Sequence, residues 1–396
     1  MKQDWNVKKI EEVCEVFEDG DWIESKDQSE KGIRLIQTGN VGNGVFKGRD
    51  SKARYISEET FKRLRCTEIL KGDCLVSRLP EPVGRACILP DTGEKMITAV
   101  DCTIIRFQKK TIYPEWFVYF SQSQEYQREI NKEIGGATRQ RISRKNLGQV
   151  TIPIPPLFEQ KKIVSILDQA FEAIKKAKTN TEKNLKNTRE LFESYSQSVF
   201  ENKDEDWIVK TLGDVCILYQ GVAINAKTKH VLVEKSDLPL LRIKDLKNNT
   251  VEQYIDPKNY PSNALVNESD IIYTRTGSLG LVFRGKRGVL HNNSFKVVPN
   301  AELTKDYLFL WLQNPMFKSK IMDLALKAAQ PDITHAIFKI QSIAIPPIDI
   351  QNEIVKKLNL LSAEAEKLET IYLQKLNNLE ELKKSILQKA FRGELT

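Results

Sequence analysis

The residue types that most often carry catalysis are present in this chain, but they are not spaced to do it. The three histidines, His230, His291 and His335, all lie in the second half and show no metal-ligand spacing. The six cysteines form no CxxC pair and are not distributed like a disulfide framework. His291, beside two asparagines, could face a ligand, but a strand-edge histidine is the stronger interpretation. We therefore expect no metal site and no histidine-based catalysis.

Motifs of nucleotide-binding and DNA-modifying enzymes are also missing. The nearest glycine run to a GxxxxGK[ST] phosphate loop, at 135–139, lacks the lysine. Both Pro-Pro pairs follow isoleucine, so neither forms the Asn/Asp-Pro-Pro-aromatic tetrapeptide typical of amino-methylating enzymes. Pro90-Asp91 with Glu94-Lys95 has the wrong spacing for a nuclease. These patterns favour a binding protein over an enzyme.

The elements that must position any binding residues occur twice. Residues 113–200 return at 304–391 with a fixed offset of 191, so that Ile152 matches Ile343 and Phe200 matches Phe391. A repeat of about half the chain indicates one module used twice. Insertions and deletions are confined to the first two-thirds of each copy. This pattern predicts a variable binding surface mounted on a spacer of constant length.

The first part of each copy is predicted to be a globular domain. Short β-branched and aromatic runs, such as 102–107 and 294–298, alternate with Gly, Asn, Asp and Pro, which is typical of strands separated by turns. Each copy also contains an aromatic-rich helical stretch. We predict an α+β protein with two similar α/β-type globular domains, at 1–155 and 203–346.

The last part of each copy has the periodicity of a long helix. Apolar or small residues recur at steps of three or four from Ile163 to Val199 and from Ile354 to Ala390. About 38 residues at 1.5 Å rise predict a helix of roughly 57 Å. We predict spacer helices at 156–202 and 347–396.

We expect the two helices to pack as an antiparallel coiled coil, because the leucine-rich second seam complements the Ala- and Thr-containing first one. That packing would place one domain at each end with pseudo-twofold symmetry. The alternative is that each amphipathic helix folds onto its own domain.

Bulk composition adds a weaker constraint. The net charge is +8 and the pI is near 8.9, a mild basic bias compatible with a polyanionic partner. No apolar run approaches the roughly 20 residues needed to span a bilayer, and the first residues lack the apolar stretch of a signal peptide. We expect a soluble, cytoplasmic protein with no membrane partner.

With these features the chain resembles the DNA-specificity subunit of type I restriction–modification enzymes. The resemblance rests on segments that occur in the same order and spacing: 136–143, Pro155–Gln160, Arg275–Ser278, 328–334, Pro346–Gln351 and Lys389–Leu395. It covers the whole chain, as two target-recognition domains that alternate with two helical spacers.

The resemblance implies a function. In this family each recognition domain reads one half of a split, asymmetric sequence in double-stranded DNA, and the helices set the unread gap between the halves. Methyltransferase subunits, two of them, dock on the specificity subunit, and restriction (motor) subunits join for cleavage. The specificity subunit would be non-catalytic and bind no cofactor, and S-adenosylmethionine, ATP and Mg would belong to its partners.

Candidate DNA contacts follow from side-chain chemistry. Arg, Asn and Gln can make paired hydrogen bonds to guanine or adenine edges, whereas Lys and Arg at the rim contact phosphates and set register. In the first domain the candidates are Gln37, Thr38, Asn40, Arg78, Arg85, Arg139, Gln140 and Arg141. In the second they are Arg242, Lys244, Arg275, Thr276, Arg284 and Arg287.

Two other functions are compatible with parts of the pattern. A self-sufficient nuclease or methyltransferase would need a further catalytic domain, for which the chain has no motif. A coiled-coil adaptor that binds only proteins would not need a pair of divergent, arginine-bearing domains.

Overall fold

The computed structural model describes residues 5–135, 140–201, 206–327 and 330–395. The chain divides into two compact units: Met1–Thr181 with Gln374–Thr396, and Glu182–Leu373. We call them the first unit and the second unit. Each contains one copy of the repeated globular part and portions of both long helices.

The first unit consists of short strands and helices followed by one long helix. The strands are β1 Asn6–Lys9, β2 Cys14–Asp19, β3 Gln28–Ser29, β4 Ile33–Ile36, β5 Arg54–Ile56, β6 Cys74–Ser77, β7 Ala86–Ile88, β8 Met96–Thr98, β9 Cys102–Phe107 and β10 Thr151–Ile154. The helices are α1 Glu58–Leu64, α2 Pro114–Phe120, α3 Gln124–Lys132, α4 Arg144–Gln149 and α5 Leu157–Glu201.

Two four-stranded sheets form the body of the first unit. One has the strand order β2-β9-β6-β7, all antiparallel. Its central strands β6 and β9 are almost wholly buried, which explains their β-branched and apolar composition. The other sheet has the order β3-β5-β4-β8, with β4 parallel to β8. Because parallel strands end at the same edge, the residues that follow β4 and β8 come together.

The second unit repeats this plan. Its strands are β11 Ile208–Thr211, β12 Cys216–Gln220, β13 Leu232–Val233, β14 Leu240–Leu241, β15 Tyr254–Ile255, β16 Leu265–Val266, β17 Ile271–Thr274, β18 Val282–Phe283, β19 Gly288–Leu290, β20 Ser294–Pro299 and β21 Ser342–Ile345. Its helices are α6 Leu212–Val215, α7 Ile243–Asn248, α8 Lys305–Leu312, α9 Pro315–Ala325, α10 His335–Lys339 and α11 Ile348–Arg392.

The strand orders of the two units correspond in part. The sheet β3-β5-β4-β8 of the first unit has no four-stranded counterpart among the described residues, since the second unit has a separate pair β13-β15 and a three-stranded sheet β14-β19-β16. The sheet β12-β20-β17-β18 matches β2-β9-β6-β7, and the pair β11-β21 matches β1-β10. Strand β14 is parallel to β19, as β4 is to β8. The predicted α+β class, with two similar α/β-type domains, is confirmed.

The long helices, Leu157–Glu201 and Ile348–Arg392, lie within the predicted spacers 156–202 and 347–396 and are longer than the apolar seams inside them. Each has 45 residues, or about 67 Å at 1.5 Å per residue. The amides of Glu159 and Gln160 already bond to the carbonyl of Pro156, at 2.9 and 3.1 Å. The proline pair therefore stands directly at the helix entrance, where its missing amide hydrogens cost nothing.

A buried glutamine fixes the start of each long helix. The side-chain oxygen of Gln160 accepts a bond from the Tyr113 amide at 2.8 Å, and its nitrogen donates to the Thr111 and Pro155 carbonyls, both at 2.9 Å. Gln351 makes the equivalent bonds to the Thr304 amide and to the Glu302 and Pro346 carbonyls, at 2.8, 2.8 and 2.9 Å. This is the physical role of the glutamine in the duplicated Pro-Pro-x-x-x-Gln motif.

Within each unit the two long helices pair antiparallel. In the first unit Lys178 Nζ lies 2.7 Å from Glu380 Oε1, and the Lys383 ammonium lies 5.0 Å from the Phe171 ring centroid. In the second unit Arg189 forms a salt bridge with Glu369 at 2.8 Å, and the Lys357 ammonium lies 5.5 Å from the Tyr195 ring centroid, which gives the same opposed direction. These pairs confirm the predicted antiparallel arrangement.

The end of a long helix completes the core of each unit. In the first unit Phe391 is fully buried, and its ring lies 4.7 Å from Trp116 and 5.2 Å from Phe120, centroid to centroid. In the second unit Phe200, its partner in the repeat, packs on Tyr307 at 5.5 Å. Each domain core is thus closed by the C-terminal end of the long helix that follows the other domain in the chain.

Candidate nucleic-acid interface

The candidate segments of the first unit converge on one edge of its sheets. The loop that starts at Gln37 leaves the end of β4, where the Ala99 amide donates to the Ile36 carbonyl at 2.8 Å. Arg78 leaves the end of β6, and its amide donates to the Asp101 carbonyl at 2.9 Å. Residues far apart in sequence therefore share this edge, which we call the loop edge.

Asn40 shapes the first loop from within. Its side-chain oxygen accepts the Gln37 amide at 2.9 Å, and its side-chain nitrogen donates to the Lys47 and Gly48 carbonyls, both at 2.9 Å. The residue is buried, and its amide is fully used in holding the loop. The side chains of Gln37 and Thr38, in contrast, are partly exposed.

Arg85 lies beneath the same loop. Its guanidinium donates to the carbonyls of Val41 at 2.7 Å, Thr38 at 2.7 Å, Leu79 at 2.6 Å and Pro82 at 3.1 Å. Burial lowers the pKa of Arg85 from its usual value, and these four acceptors compensate the buried charge. The geometry indicates that this arginine stabilises the loop conformation through these carbonyls. A contact between Arg85 and a DNA base stays an untested prediction.

Arg78 is also buried, at 3 % exposure. Its Nε lies 3.3 Å from Asp19 Oδ1, and the guanidinium also donates to the carbonyl of Val100. Burial lowers its pKa, and the Asp19 charge acts in the opposite direction. Like Arg85, it ties strand ends together at the loop edge, and its predicted base contact is likewise untested.

The last candidate segment of the first unit reaches this edge through Arg141. Its Nη2 lies 3.0 Å from Asp101 Oδ1, and its backbone forms a reciprocal pair of 3.0 Å bonds with Gly135. Gln140 is exposed, whereas Arg139 lies outside the described residues. Arg141 and Gln140 thus present solvent-accessible polar groups beside the first loop.

In the second unit the equivalent loop is more acidic. Arg242, which follows β14, donates from Nε to Asp245 Oδ2 at 2.7 Å and from Nη2 to Glu252 Oε2 at 3.0 Å. Lys244 pairs with the same Glu252 carboxylate. Asp245 takes the place of Asn40, since it also accepts the amide of the first loop residue, at 3.4 Å. Both predicted cations are therefore neutralised in this structure.

Arg275 occupies the position of Arg78 in the second unit. Its amide donates to the Asn293 carbonyl at 2.8 Å, and its own carbonyl accepts from the Ile333 amide at 2.9 Å. The side chain forms a two-point ion pair with Asp332, with Nε 2.9 Å from Oδ1. Thr276 is partly exposed and lies beside it.

Arg284 and Arg287 are not brought to this edge. Strand β18 runs antiparallel to β17, so Arg284 lies beside the start of β17, where it pairs with Asp306 and stacks at 4.4 Å over Phe309. Arg287 precedes β19, whose far end meets the loop edge of this unit. A DNA contact from either residue would need a second surface, and it stays a prediction.

Sequence reasoning missed a basic cavity in the first unit. Its volume is about 410 Å³ and it is lined by Gln37, Asn40, Arg49, Lys52, Ala53 and Arg54. The available signal was four basic residues within the eight of 47–54.

The structure adds two general observations. Among the described residues, no group of three His, Cys, Asp or Glu side chains could hold a metal ion. No helix in the described part of the chain has both the length and the apolar character required to cross a membrane.

The family described as type I restriction modification DNA specificity domain matches the chain twice, at residues 2–184 and 204–380. The chain belongs to this family. The predicted resemblance and the predicted role in DNA target specificity are thereby confirmed, and nothing in these matches supports a protein-only adaptor.

Named relatives of the specificity family agree over long stretches. The EcoKI specificity subunit of Escherichia coli is 28% identical over 74% of this chain and 68% of its own length. The putative MjaX specificity subunit of Methanocaldococcus jannaschii is 24% identical over 100% of this chain and 94% of its own. The EcoBI specificity subunit of Escherichia coli is 24% identical over 92% and 86%.

Two solved structures share the fold. A chain from a type I R-M system studied for its complex assembly and conformational transition superimposes with a TM-score of 0.79 at 18% identity, covering 100% of this chain and 99% of that one. The HsdS subunit of Thermoanaerobacter tengcongensis gives 0.69 at 18% identity, over 100% and 98%.

Proposed function

We propose that this chain is the specificity subunit of a type I restriction–modification system, and that its two units read two different half-sites of one asymmetric duplex target. The observation that carries this proposal is a shared backbone edge with different side chains. Gln37 in the first unit corresponds to Arg242 in the second, and Arg141 corresponds to Asp332. Similar scaffolds with unlike hydrogen-bonding groups suit unlike base sequences.

The DNA contacts fall into two proposed groups. The accessible side chains at the loop edges face the duplex: Gln37, Thr38, Gln140, Arg141, Arg242, Lys244, Arg275 and Thr276. The buried Asn40, Arg78 and Arg85 hold the loops in shape, so that they affect recognition through position. This division separates residues that read sequence from residues that support the reading surface.

The long helices supply the spacing and the docking surface. Residues of both helices belong to both units, and a helical pair keeps a distance better than a flexible linker does. In the second unit an apolar cavity of about 380 Å³ lies along this pair, lined by Leu191, Phe192, Leu361 and Leu368 among others. Exposed apolar surface of this kind is typical of a protein interface.

The proposed partners follow from this role. Two methyltransferase subunits dock on the helices, and restriction subunits join them. Those partners carry S-adenosylmethionine, ATP and Mg, and this chain performs no chemistry and binds no cofactor. The assembly acts on DNA in the cytoplasm.

The experiment is selection of bound sequences from a random duplex library, with the chain alone and with methyltransferase subunits. The expected result is two dissimilar half-sites with one constant gap, and an affinity that falls steeply with salt because bound phosphates release counterions. Binding without sequence preference in both formats would refute the proposal. Incubation of the chain alone with DNA, a methyl donor and magnesium should give no product, whereas methylated or cut DNA would identify an enzyme.

A further inference from the structure

The basic cavity at the loop edge of the first unit has an unusual composition. Of its six lining residues, Arg49, Lys52 and Arg54 are cationic, and none is acidic. Within the part of the chain that the structure describes, none of these three cations has a carboxylate within salt-bridge distance. Three unpaired cations around one cavity create a strongly positive local potential.

Arg49 is placed in the cavity by its backbone and by a glycine. Its φ angle of 54° lies in the left-handed region, which is uncommon for a residue with a side chain. A Cβ atom added to Gly39 would lie 1.7 Å from Arg49 Nη1. The guanidinium therefore crosses the loop over Gly39, beside Gln37, and a larger residue at 39 would displace it.

The acid nearest in sequence is occupied elsewhere. Asp50 Oδ1 lies 2.7 Å from Nη2 of Arg34, whose side chain is largely buried. Asn40 also binds the carbonyls of Lys47 and Gly48 at 2.9 Å each, which fixes the segment leading to Arg49. The cavity is thus built by buried interactions, and its cations are left available.

We propose that this cavity binds a backbone phosphate of the duplex and so fixes the register in which Gln37 meets a base edge. The inference rests on the proposed function and deepens it. A phosphodiester is favoured over a base because three cations surround the space, whereas base recognition needs one oriented pair of donors or acceptors. In the second unit Glu252 neutralises Arg242 and Lys244, so this anchor belongs to the first half-site.

The first test measures affinity against salt concentration for Arg49→Ala and Lys52→Ala. The probes are a selected cognate duplex and a duplex with a scrambled first half-site. Each substitution should weaken binding to both duplexes by the same factor, roughly tenfold, and make the slope of log K against log[salt] shallower by about 0.9. The matched control is Lys109→Ala, an exposed lysine after the far end of β9, which should leave both quantities unchanged.

The second test displaces the guanidinium without removing its charge. The backbone of Gly39 lies outside the left-handed region, and the atom that a Cβ would meet is the end of a flexible side chain. Gly39→Ala should therefore fold normally but weaken binding to both duplexes. The double variant with Arg49→Ala should bind no more weakly than Arg49→Ala alone, because both changes remove the same contact.

Three outcomes would overturn the inference. A loss for Arg49→Ala confined to the cognate duplex would make this residue a base reader. An unchanged affinity and slope would remove the cavity from the DNA interface, and additive losses in the double variant would separate Gly39 from Arg49. Failure of the unmodified chain to select any sequence would instead refute the proposed function itself.

Discussion

The carboxylate of Asp332 holds the guanidinium of Arg275 at two points, with Arg275 Nε donating to Oδ1 at 2.9 Å. The backbone around this pair matches the first unit, where the Ile142 amide donates to the Arg78 carbonyl at 3.2 Å. There the charges are arranged differently, since Arg141 replaces Asp332 and pairs with Asp101. One scaffold thus presents a partly exposed, oriented arginine in the second unit and a buried one in the first.

Replacing Asp332 by alanine should weaken discrimination at the second half-site. Without Asp332 the Arg275 guanidinium can contact any nearby phosphate but is no longer held in one orientation. Binding to scrambled DNA should therefore strengthen several-fold, while the preference for the cognate sequence falls. Fluorescence anisotropy with the cognate duplex and with a duplex whose second half-site is scrambled measures the two effects. Asp323→Ala removes an exposed acid from α9 and should leave preference unchanged. A parallel loss on both duplexes would show that Asp332 only stabilises the fold.

Replacing Arg275 itself by alanine should cost about 1–3 kcal/mol of binding at one half-site if it reads a base. The loss should vanish when the second half-site is already scrambled. An equal loss on every sequence would assign Arg275 to a phosphate.

Replacing Arg85 by methionine should destabilise the first unit. Methionine fills part of the space but leaves the Val41, Thr38 and Leu79 carbonyls without their donor, which should lower the free energy of unfolding by about 3 kcal/mol. Urea denaturation measures this change. Arg128→Met removes an exposed arginine on α3 and should change stability by less than about 0.5 kcal/mol. Native stability combined with loss of one base preference would make Arg85 a reader after all.

Most of the fold was predictable from the internal repeat of the sequence and from the periodicity of its apolar residues. A seam with steps of three or four residues specifies a helix, and the equal offset in both copies shows that the two helices have equal lengths. The exact start could not be read from the seam, because the first turn is set by the proline pair and by the buried bonds of Gln160 and Gln351, which involve residues about 47 positions away.

The site was only partly predictable, because residue type does not specify burial. Arg78 and Arg85 have the donors of a base reader, yet their strands carry them beneath the loop edge, where backbone carbonyls engage them. Arg284 follows Arg275 closely in sequence, but the reversal between β17 and β18 takes it to the other end of the sheet. The basic run at 47–54 is evident in the sequence. That its side chains line one cavity depends on the fold, which places the Arg49 guanidinium over Gly39.

Replacing Glu252 by glutamine should strengthen non-specific DNA binding. The carboxylate pairs with Arg242 and Lys244, and the Lys244 ammonium and the Arg242 guanidinium hold the pKa of Glu252 below its usual range. Removing its charge frees the Lys244 ammonium at the loop edge, whereas Arg242 stays paired with Asp245. Affinity for scrambled DNA should therefore rise a few-fold at low salt and return toward the original value as salt screens the charges. Glu302→Gln, which breaks the pair with Lys210, is the control and should have little effect. Equal responses of both variants would attribute the change to net charge alone.

Replacing Phe391 by alanine should lower the free energy of unfolding of the first unit. The ring is fully buried against Trp116 and Phe120, and removing such a ring should lower stability by about 3–5 kcal/mol. Thermal denaturation measures the loss. Phe158, which is 74 % exposed on α5, is the matched control, and Phe158→Ala should change stability by less than about 0.5 kcal/mol. Similar midpoints for the two variants would show that the C-terminal end of α11 does not complete this core.

Asp21 should make the stability of the first unit depend on pH. Burial raises the pKa of Asp21 to about 6, although the Thr67 amide, 3.1 Å from Oδ2, favours the charged form. Because the folded state holds this proton more tightly than the unfolded state, stability should fall as pH rises from about 4 to 6 and stay lower above that range. Asp21→Asn keeps an oxygen for the Thr67 amide but removes the titration. Denaturant unfolding at pH 4 and pH 7 should therefore show that the variant gains stability relative to the unmodified chain as pH rises, and a constant difference would disprove the role of this carboxyl.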